Sequence, residues 1–242
     1  MATATFRFHG ELAEFLARER RGVAFDQACA RAATVKHAIE SLGVPHTEAG
    51  RLTVNGQPAT LARIVRDGDA IEVFPHEPGG AAMEIAPDFV ADAHLGGLAR
   101  MLRMLGFDTL YDNAFADREI LDLAARERRV ILTRDRELLK CREVMRGCFV
   151  HARKPEAQLK EVVARYRLER RMRPFTLCLH CNLRLEAVER SIAKERVPER
   201  IALRYAEFMR CRGCERIYWQ GSHWERMREM LGASLAIRIS AL

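Results

Sequence analysis

The chain has 242 residues, 48% hydrophobic and 30% charged, with a formal net charge of +7. That composition excludes a disordered or fibrous chain and leaves room for two or three small domains. No stretch approaches the ~18 apolar residues of a membrane span, and the opening Met1-Ala-Thr-Ala-Thr-Phe-Arg-Phe-His9 lacks a signal peptide's apolar core, so a cytoplasmic protein without a membrane partner is expected.

Residues 1–76 read as a small β/α unit. Residues 3–8 alternate like a strand. Thr34 is a helix cap, followed by an apolar face of Val35, Ala38, Ile39 and Leu42; Gly43 ends the helix and Pro45 prevents its continuation. Asn55-Gly56 and Asp67-Gly68 are turn dipeptides beside short strands at 51–54 and 70–74. The order strand, helix, strand, strand suits a β-grasp. Pro75-His-Glu-Pro-Gly-Gly-Ala-Ala82 has the turns and slack of a connector, and the linker is set at 77–83.

Residues 84–170 alternate strand and helix. Apolar runs at 89–91, 107–111, 130–132 and 148–150 read as strands. Helices are expected through Leu95, Leu98, Leu102 and Leu105, then from Asp117 through Ile120, Leu121 and Ala124. A last one runs from Pro155 to Tyr166. Repeated β-α-β units predict a parallel sheet with helices on both faces, a three-layer α/β domain.

In such sheets ligands bind beyond the carboxyl ends of the strands. Asp92 and Asp135 fall there, and Asp117 starts a helix near the same rim. Three converging carboxylates repel one another unless a hard cation such as Mg²⁺ or Mn²⁺ joins them. Each also has a structural alternative. Asp117 suits a helix N-cap, Asp135 can cap a helix over 136–140, and Asp92 can be a turn residue or cap.

Residues 171–242 hold two further signals. Cys178-Leu-His-Cys181 and Cys211-Arg-Gly-Cys214 are paired Cys-x-x-Cys motifs, the spacing of a four-thiolate structural Zn²⁺ site. Cys29, Cys141 and Cys148 have no such spacing and read as small apolar residues. The segment also ends in an aromatic tail, Tyr218-Trp-Gln-Gly-Ser-His-Trp224.

Charge is uneven. Residues 1–80 hold 9 Lys and Arg against 10 Asp and Glu, whereas residues 81–242 hold 31 against 23. A basic excess confined to the second part points to a polyanion such as RNA. Arg100 and Arg103 on the first helix of 84–170 read as phosphate contacts or as a solvated face. Arg165, Arg167, Arg170, Arg171 and Arg173 read as an RNA-tracking cluster or as a charged helix end. Trp219 reads as ribbon core. His223 and Trp224 stay open between stacking on unpaired bases and filling that core.

Several runs resemble the Mut-7 C-terminal RNase family. They are Asp92-Ala-His-Leu-Gly-Gly-Leu-Ala-Arg-Met-Leu-Arg-Met-Leu-Gly106, Leu132-Thr-Arg-Asp135 with Arg136-Glu-Leu-Leu139, and Tyr218-Trp-Gln-Gly-Ser-His-Trp-Glu-Arg226. The resemblance spans about 84–230 and implies a PIN-like nuclease domain joined to a zinc ribbon at 171–242. It implies catalytic Mg²⁺ or Mn²⁺ on Asp92, Asp117 and Asp135, with RNA as substrate. Glu119 and Asp112 are candidates for a fourth acid, and His94 and Gly97 depart from the family's apolar and basic residues.

The first segment, through Glu40-Ser-Leu-Gly-Val-Pro-His46, Val54-Asn-Gly56 and Asp67-Gly-Asp69, resembles the ubiquitin-like domain that precedes this family. It is also similar to small sulfur-carrier proteins, which react at a free terminal Gly-Gly; here most of the chain follows Gly79-Gly80. The ubiquitin-like domain is a candidate surface for a protein partner. A metal-dependent ribonuclease is therefore expected, with a non-catalytic RNA-binding adaptor as the alternative.

Overall fold

The computed structural model describes residues 1–77 and 87–235. Gly79-Gly80 and most of the predicted linker lie outside the described residues.

The first part comprises β1 (Ala2–Phe8), β2 (Phe25–Cys29), α1 (Val35–Ser41), β3 (Ala49–Val54), β4 (Gln57–Pro58) and β5 (Ala70–Pro75). The sheet order is β2-β1-β5-β3-β4, with β1 and β5 parallel at the centre and the other pairs antiparallel. This is a β-grasp-like sheet. Its helix is capped as expected, Thr34 Oγ1 accepting the His37 amide at 3.2 Å. Phe6, Ile39 and Ile71 are fully buried between helix and sheet.

The middle part comprises β6 (Phe89–Ala91), α2 (Gly96–Met104), β7 (Thr109–Tyr111), α3 (Asp117–Glu127), β8 (Val130–Thr133), α4 (Arg136–Lys140), β9 (Gly147–Phe149) and α5 (Pro155–Tyr166). Its four strands run parallel in the order β7-β6-β8-β9. Side chains alternate across the sheet. Phe89, Ala91 and Leu132 join the buried cluster of α2 and α5, while Val90 and Ile131 join that of α3 and α4. Leu95, Leu98, Leu102 and Leu105 are wholly buried, each contributing about 1.5–3 kcal/mol of apolar burial.

The last part comprises β10 (Leu185–Val188), α6 (Arg190–Ala193), α7 (Glu199–Arg204), β11 (Phe208–Cys211), β12 (Ile217–Tyr218) and α8 (Ser222–Leu235). The strands form a small antiparallel sheet, β10-β11-β12. α8 turns back to the middle part: Leu231 is buried in the α2/α5 cluster, with Met227 and Met230 packed against it.

Both edge strands of the middle sheet are met by side chains from the flanking parts. On the β9 edge, the Phe149 amide donates to Glu48 Oε1 at 2.9 Å. On the β7 edge, the Thr109 amide donates to Asn182 Oδ1 at 3.0 Å. Phe15 adds an edge-on ring contact to Phe149 at 5.0 Å, and His46 Nε2 lies 2.9 Å from the Val144 carbonyl.

Candidate active site and metal centre

Asp92 follows β6 and is half-buried. Its Oδ2 accepts from Thr133 Oγ1 at 2.6 Å and its Oδ1 from the Ala93 amide at 2.5 Å. Thr133, fully buried at the end of the adjacent strand β8, also accepts the Asp135 amide at 2.9 Å. One threonine hydroxyl therefore links the chain at both acids. Asp135 is exposed, and its Oδ1 accepts the Glu137 amide at 2.7 Å, capping α4.

Asp117 is exposed in the first turn of α3. The cap position is held by Ala116, whose amide donates to Glu119 Oε2 at 2.9 Å, so Asp117 does not perform the expected capping. Its charge there is favoured by the helix dipole. Asp117 and Asp135 both press on the Cys141 thiol, whose pKa is raised by burial, then by Glu143 and by these two aspartates. The three carboxylates are not drawn as close as a filled ligand shell. Among the described residues, the cysteines alone gather three or more ligand atoms within 4.8 Å. Of the candidate fourth acids, Glu119 serves the α3 cap and Asp112 Oδ1 accepts the Ala114 amide at 2.9 Å.

His94 is exposed. Gly96 and Gly97 explain the absence of side chains at the start of α2. A Cβ on Gly96 would lie 2.6 Å from Tyr111 Oη, and one on Gly97 would lie 2.7 Å from Pro155 Cγ. A basic side chain at 97 would push α5 away.

The four predicted thiols Cys178, Cys181, Cys211 and Cys214 converge, with Cys178 and Cys214 sulfurs 3.6 Å apart. A tetrahedron with Zn–S of about 2.3 Å has sulfurs about 3.8 Å apart, so the donor set fits zinc. None of the four is in a disulfide. The two knuckles repeat one hydrogen-bond pattern. Asn182 and Glu215 amides return to Cys178 and Cys211 carbonyls, each at 2.9 Å, through left-handed residues at φ +63° and +59°. Burial opposes ionisation of Cys178, but the Cys181 amide at 3.3 Å and the Tyr218 hydroxyl at 3.1 Å donate to its sulfur. The net effect brings the thiol down to about 7.

Two of the arginines assigned to RNA have other work. Arg103 is 5% exposed. Its guanidinium donates to the carbonyls of Thr109 at 2.9 Å, Leu179 at 3.1 Å and His180 at 3.0 Å, fastening the first knuckle to α2 and β7. Arg165 donates to Glu48 Oε2 at 2.6 Å and to the Thr47 carbonyl at 3.0 Å. Both guanidinia are engaged by protein acceptors rather than left open for phosphate, although Arg103 also lines the cleft described below. Both follow from the same chemistry: a guanidinium has five donors and gathers carbonyls and carboxylates when buried.

Trp224 is packed, its ring 5.0 Å from Phe175 with Arg228 lying over it at 5.0 Å, which favours the core alternative. Arg171 is half-buried, with Nη1 sealed from solvent. Arg100, Arg167 and His223 are exposed. Thr133 escaped the sequence reading, although its place inside Leu132-Thr-Arg-Asp135 is a usable signal. Arg134 beside it donates to the Val150 and His151 carbonyls at 3.2 and 2.9 Å, tying the β8 and β9 loops together.

A cleft of about 1230 Å³ separates the start of α2 and the end of β7 from the ribbon, α7 and the start of α8. Arg100 and His223 line it, together with residues that no sequence pattern singled out, among them Arg200, Arg204 and Arg216.

Comparison with known families gives two matches: the Mut7-C RNAse domain over residues 87–231 and the Mut7-C ubiquitin domain over residues 1–79. Comparison with curated proteins gives no match. Among solved structures, the crystal structure of H. volcanii small archaeal modifier protein 1 is similar at 21% identity. It covers 31% of this chain and 98% of that one, with a TM-score of 0.25. The Mut7-C RNAse match takes in well over half of the chain, and the chain belongs to the Mut7-C RNAse domain family.

Proposed function

We propose that this protein is a metal-dependent ribonuclease that hydrolyses RNA phosphodiester bonds at the carboxyl rim of its parallel sheet, in a PIN-like domain of about residues 84–170. The observation that carries the reading is the Asp92–Thr133–Asp135 linkage across the ends of two adjacent parallel strands. Family membership supports the reaction class.

Asp92, Asp117 and Asp135 are the residues that would hold Mg²⁺ or Mn²⁺, hard cations that take carboxylate oxygens. When bound, such an ion lowers the pKa of a water and offsets charge on the phosphate. The chain's own part is orientation. Thr133 and the Ala93 amide fix the Asp92 carboxylate and leave about two of its four lone-pair sites free. Asp135 stands at an α-helix start, with its second oxygen outside the capping bond. Zinc on the four thiolates fills its coordination shell and serves structure.

One observation favours the adaptor reading, since Asp92 and Asp135 each have a local hydrogen-bonding role. Cleavage of labelled RNA with Mn²⁺ or Mg²⁺ separates the two. In Asp92→Asn the rate should fall by roughly 10²-fold or more, the scale of several kcal/mol of charge stabilisation, while RNA affinity persists. Cleavage at the wild-type rate in both Asp92→Asn and Asp135→Asn would sink the nuclease site and leave the adaptor.

A further inference from the structure

The cleft beside the ribbon is larger than the roughly 300–1,000 Å³ typical of small-molecule pockets. Arginines outnumber acids along it. Arg100, Arg200, Arg204 and Arg216 are exposed along it, and no ion pair engages them among the described residues. The acids lining it are Asp112, Glu207 and Glu225. Arg103, which also lines the cleft, is spent on carbonyls, and Arg129 and Arg165 are spent on carbonyls and carboxylates. Four open guanidinia thus share this concavity.

Aromatic rings share the same walls. Tyr205 and Trp219 are half-buried, standing on the small ribbon core of Ala193, Ala202 and Phe208 while lining the cleft. Gly221 keeps room for Trp219, because a Cβ there would come within 2.6 Å of the indole nitrogen. Arginines and ring faces in one groove match the phosphate and base of an unpaired strand; a duplex hides its base faces in the stack.

The groove also leads somewhere. Its wall includes Tyr111 and Gly96, and the Tyr111 hydroxyl donates to the carbonyl of Ala93 at 3.0 Å. Ala93 is the residue after Asp92. The Tyr111 bond thus joins the groove wall to the residue beside Asp92, and Leu179 and His180 of the first knuckle line the same groove.

We infer that this cleft is the binding groove for single-stranded RNA, with Arg200, Arg204 and Arg216 holding phosphates, Trp219 and Tyr205 stacking bases, and the strand delivered past Tyr111 to Asp92. The identity of the polymer rests on the ribonuclease reading; the groove's existence does not.

The test is anisotropy of a labelled oligouridylate on full-length, zinc-loaded protein, with zinc content and far-ultraviolet circular dichroism as fold controls. Arg200→Glu/Arg204→Glu/Arg216→Glu should weaken binding at least tenfold. The slope of log affinity against log salt should shrink by up to about 2, at roughly 0.7 per lost phosphate contact. Oligouridylate should quench tryptophan fluorescence in the wild type, and Trp219→Leu should remove most of that quenching. The same RNA annealed to its complement should bind more weakly.

Wild-type affinity in the triple variant would overturn the groove. Polyglutamate binding as tightly as oligouridylate, without quenching, would overturn it in favour of an acidic protein partner. The two readings fail separately. If the triple variant binds normally but Asp92→Asn stops cleavage, only the groove is wrong. If the triple variant loses RNA while Asp92→Asn still cleaves, only the catalytic centre is wrong.

Discussion

Glu48, 1% exposed in the turn just before β3, receives the guanidinium of Arg165 from α5 at 2.6 Å. The same carboxylate accepts the Phe149 amide of β9. Breaking a buried pair from one side leaves a charge without a partner, at a cost of about 3–5 kcal/mol. Glu48→Ala should therefore lower the urea midpoint sharply, whereas Glu48→Leu with Arg165→Met should recover much of the loss. Arg165→Met should leave the salt slope of RNA binding unchanged, because this arginine faces no phosphate.

Thr133 predicts a different signature. Its hydroxyl positions Asp92 and receives the Asp135 amide. Partners one step removed from a metal typically change activity or affinity by 10–100-fold. Thr133→Val should reduce cleavage on about that scale and raise the Mn²⁺ concentration needed for half-maximal rate. Thr133→Ser, which restores the donor, should recover most of it. Equal rates in the two variants would remove Thr133 from the site.

His76 gives the β-grasp contact a pH dependence. Its pKa is lowered by burial and then by the nearby Arg165 charge; the Thr47 carbonyl, 3.0 Å from Nε2, and Glu48 partly oppose this. A histidine depressed in the folded state binds fewer protons than in the unfolded chain, where it titrates near 6.5. Its contribution is complete above about pH 6.5 and is lost as the pH falls below that. Denaturation midpoints at pH 7.5 and 5.5 should differ in the wild type, and the difference should narrow in His76→Gln.

Zinc removal should be felt beyond the ribbon. The first knuckle supplies Asn182 to the Thr109 amide and two carbonyls to Arg103. Cys178→Ser, or a strong chelator, should release the metal and speed hydrogen exchange at Thr109. Unchanged protection at Thr109 after full zinc loss would show that the edge is held independently of the metal.

What the sequence discloses depends on how local the cause is. α5 can be read to the residue, because Pro155 suits a first helical position and Leu159, Val162, Val163 and Tyr166 mark one face. β2 is missed because its inward position 27 is a Gln and its outward position 28 an Ala, so the alternating burial of Phe25–Cys29 leaves no apolar alternation in the sequence. Arg103 and Arg165 read as surface charge because a buried arginine and a solvated one look alike in sequence. Arg165's partner lies 117 residues away. Asp92 and Asp135 are legible from the strand ends that precede them. Arg200 and Arg204 share one face of α7 at i and i+4, but only the packing of the ribbon against α2 brings them into one cleft with Arg100 and Arg216.

The Glu48 and Asn182 contacts also decide which pieces of this protein can live alone. A fragment trimmed at residue 84 would keep Arg165 but lose its carboxylate, and the freed amide of Phe149 would offer itself to a neighbouring chain. One trimmed at 170 would strand Arg103 without two of its acceptors and open the Thr109 side. Bare strands of this kind recruit one another. Such fragments should precipitate or swap strands.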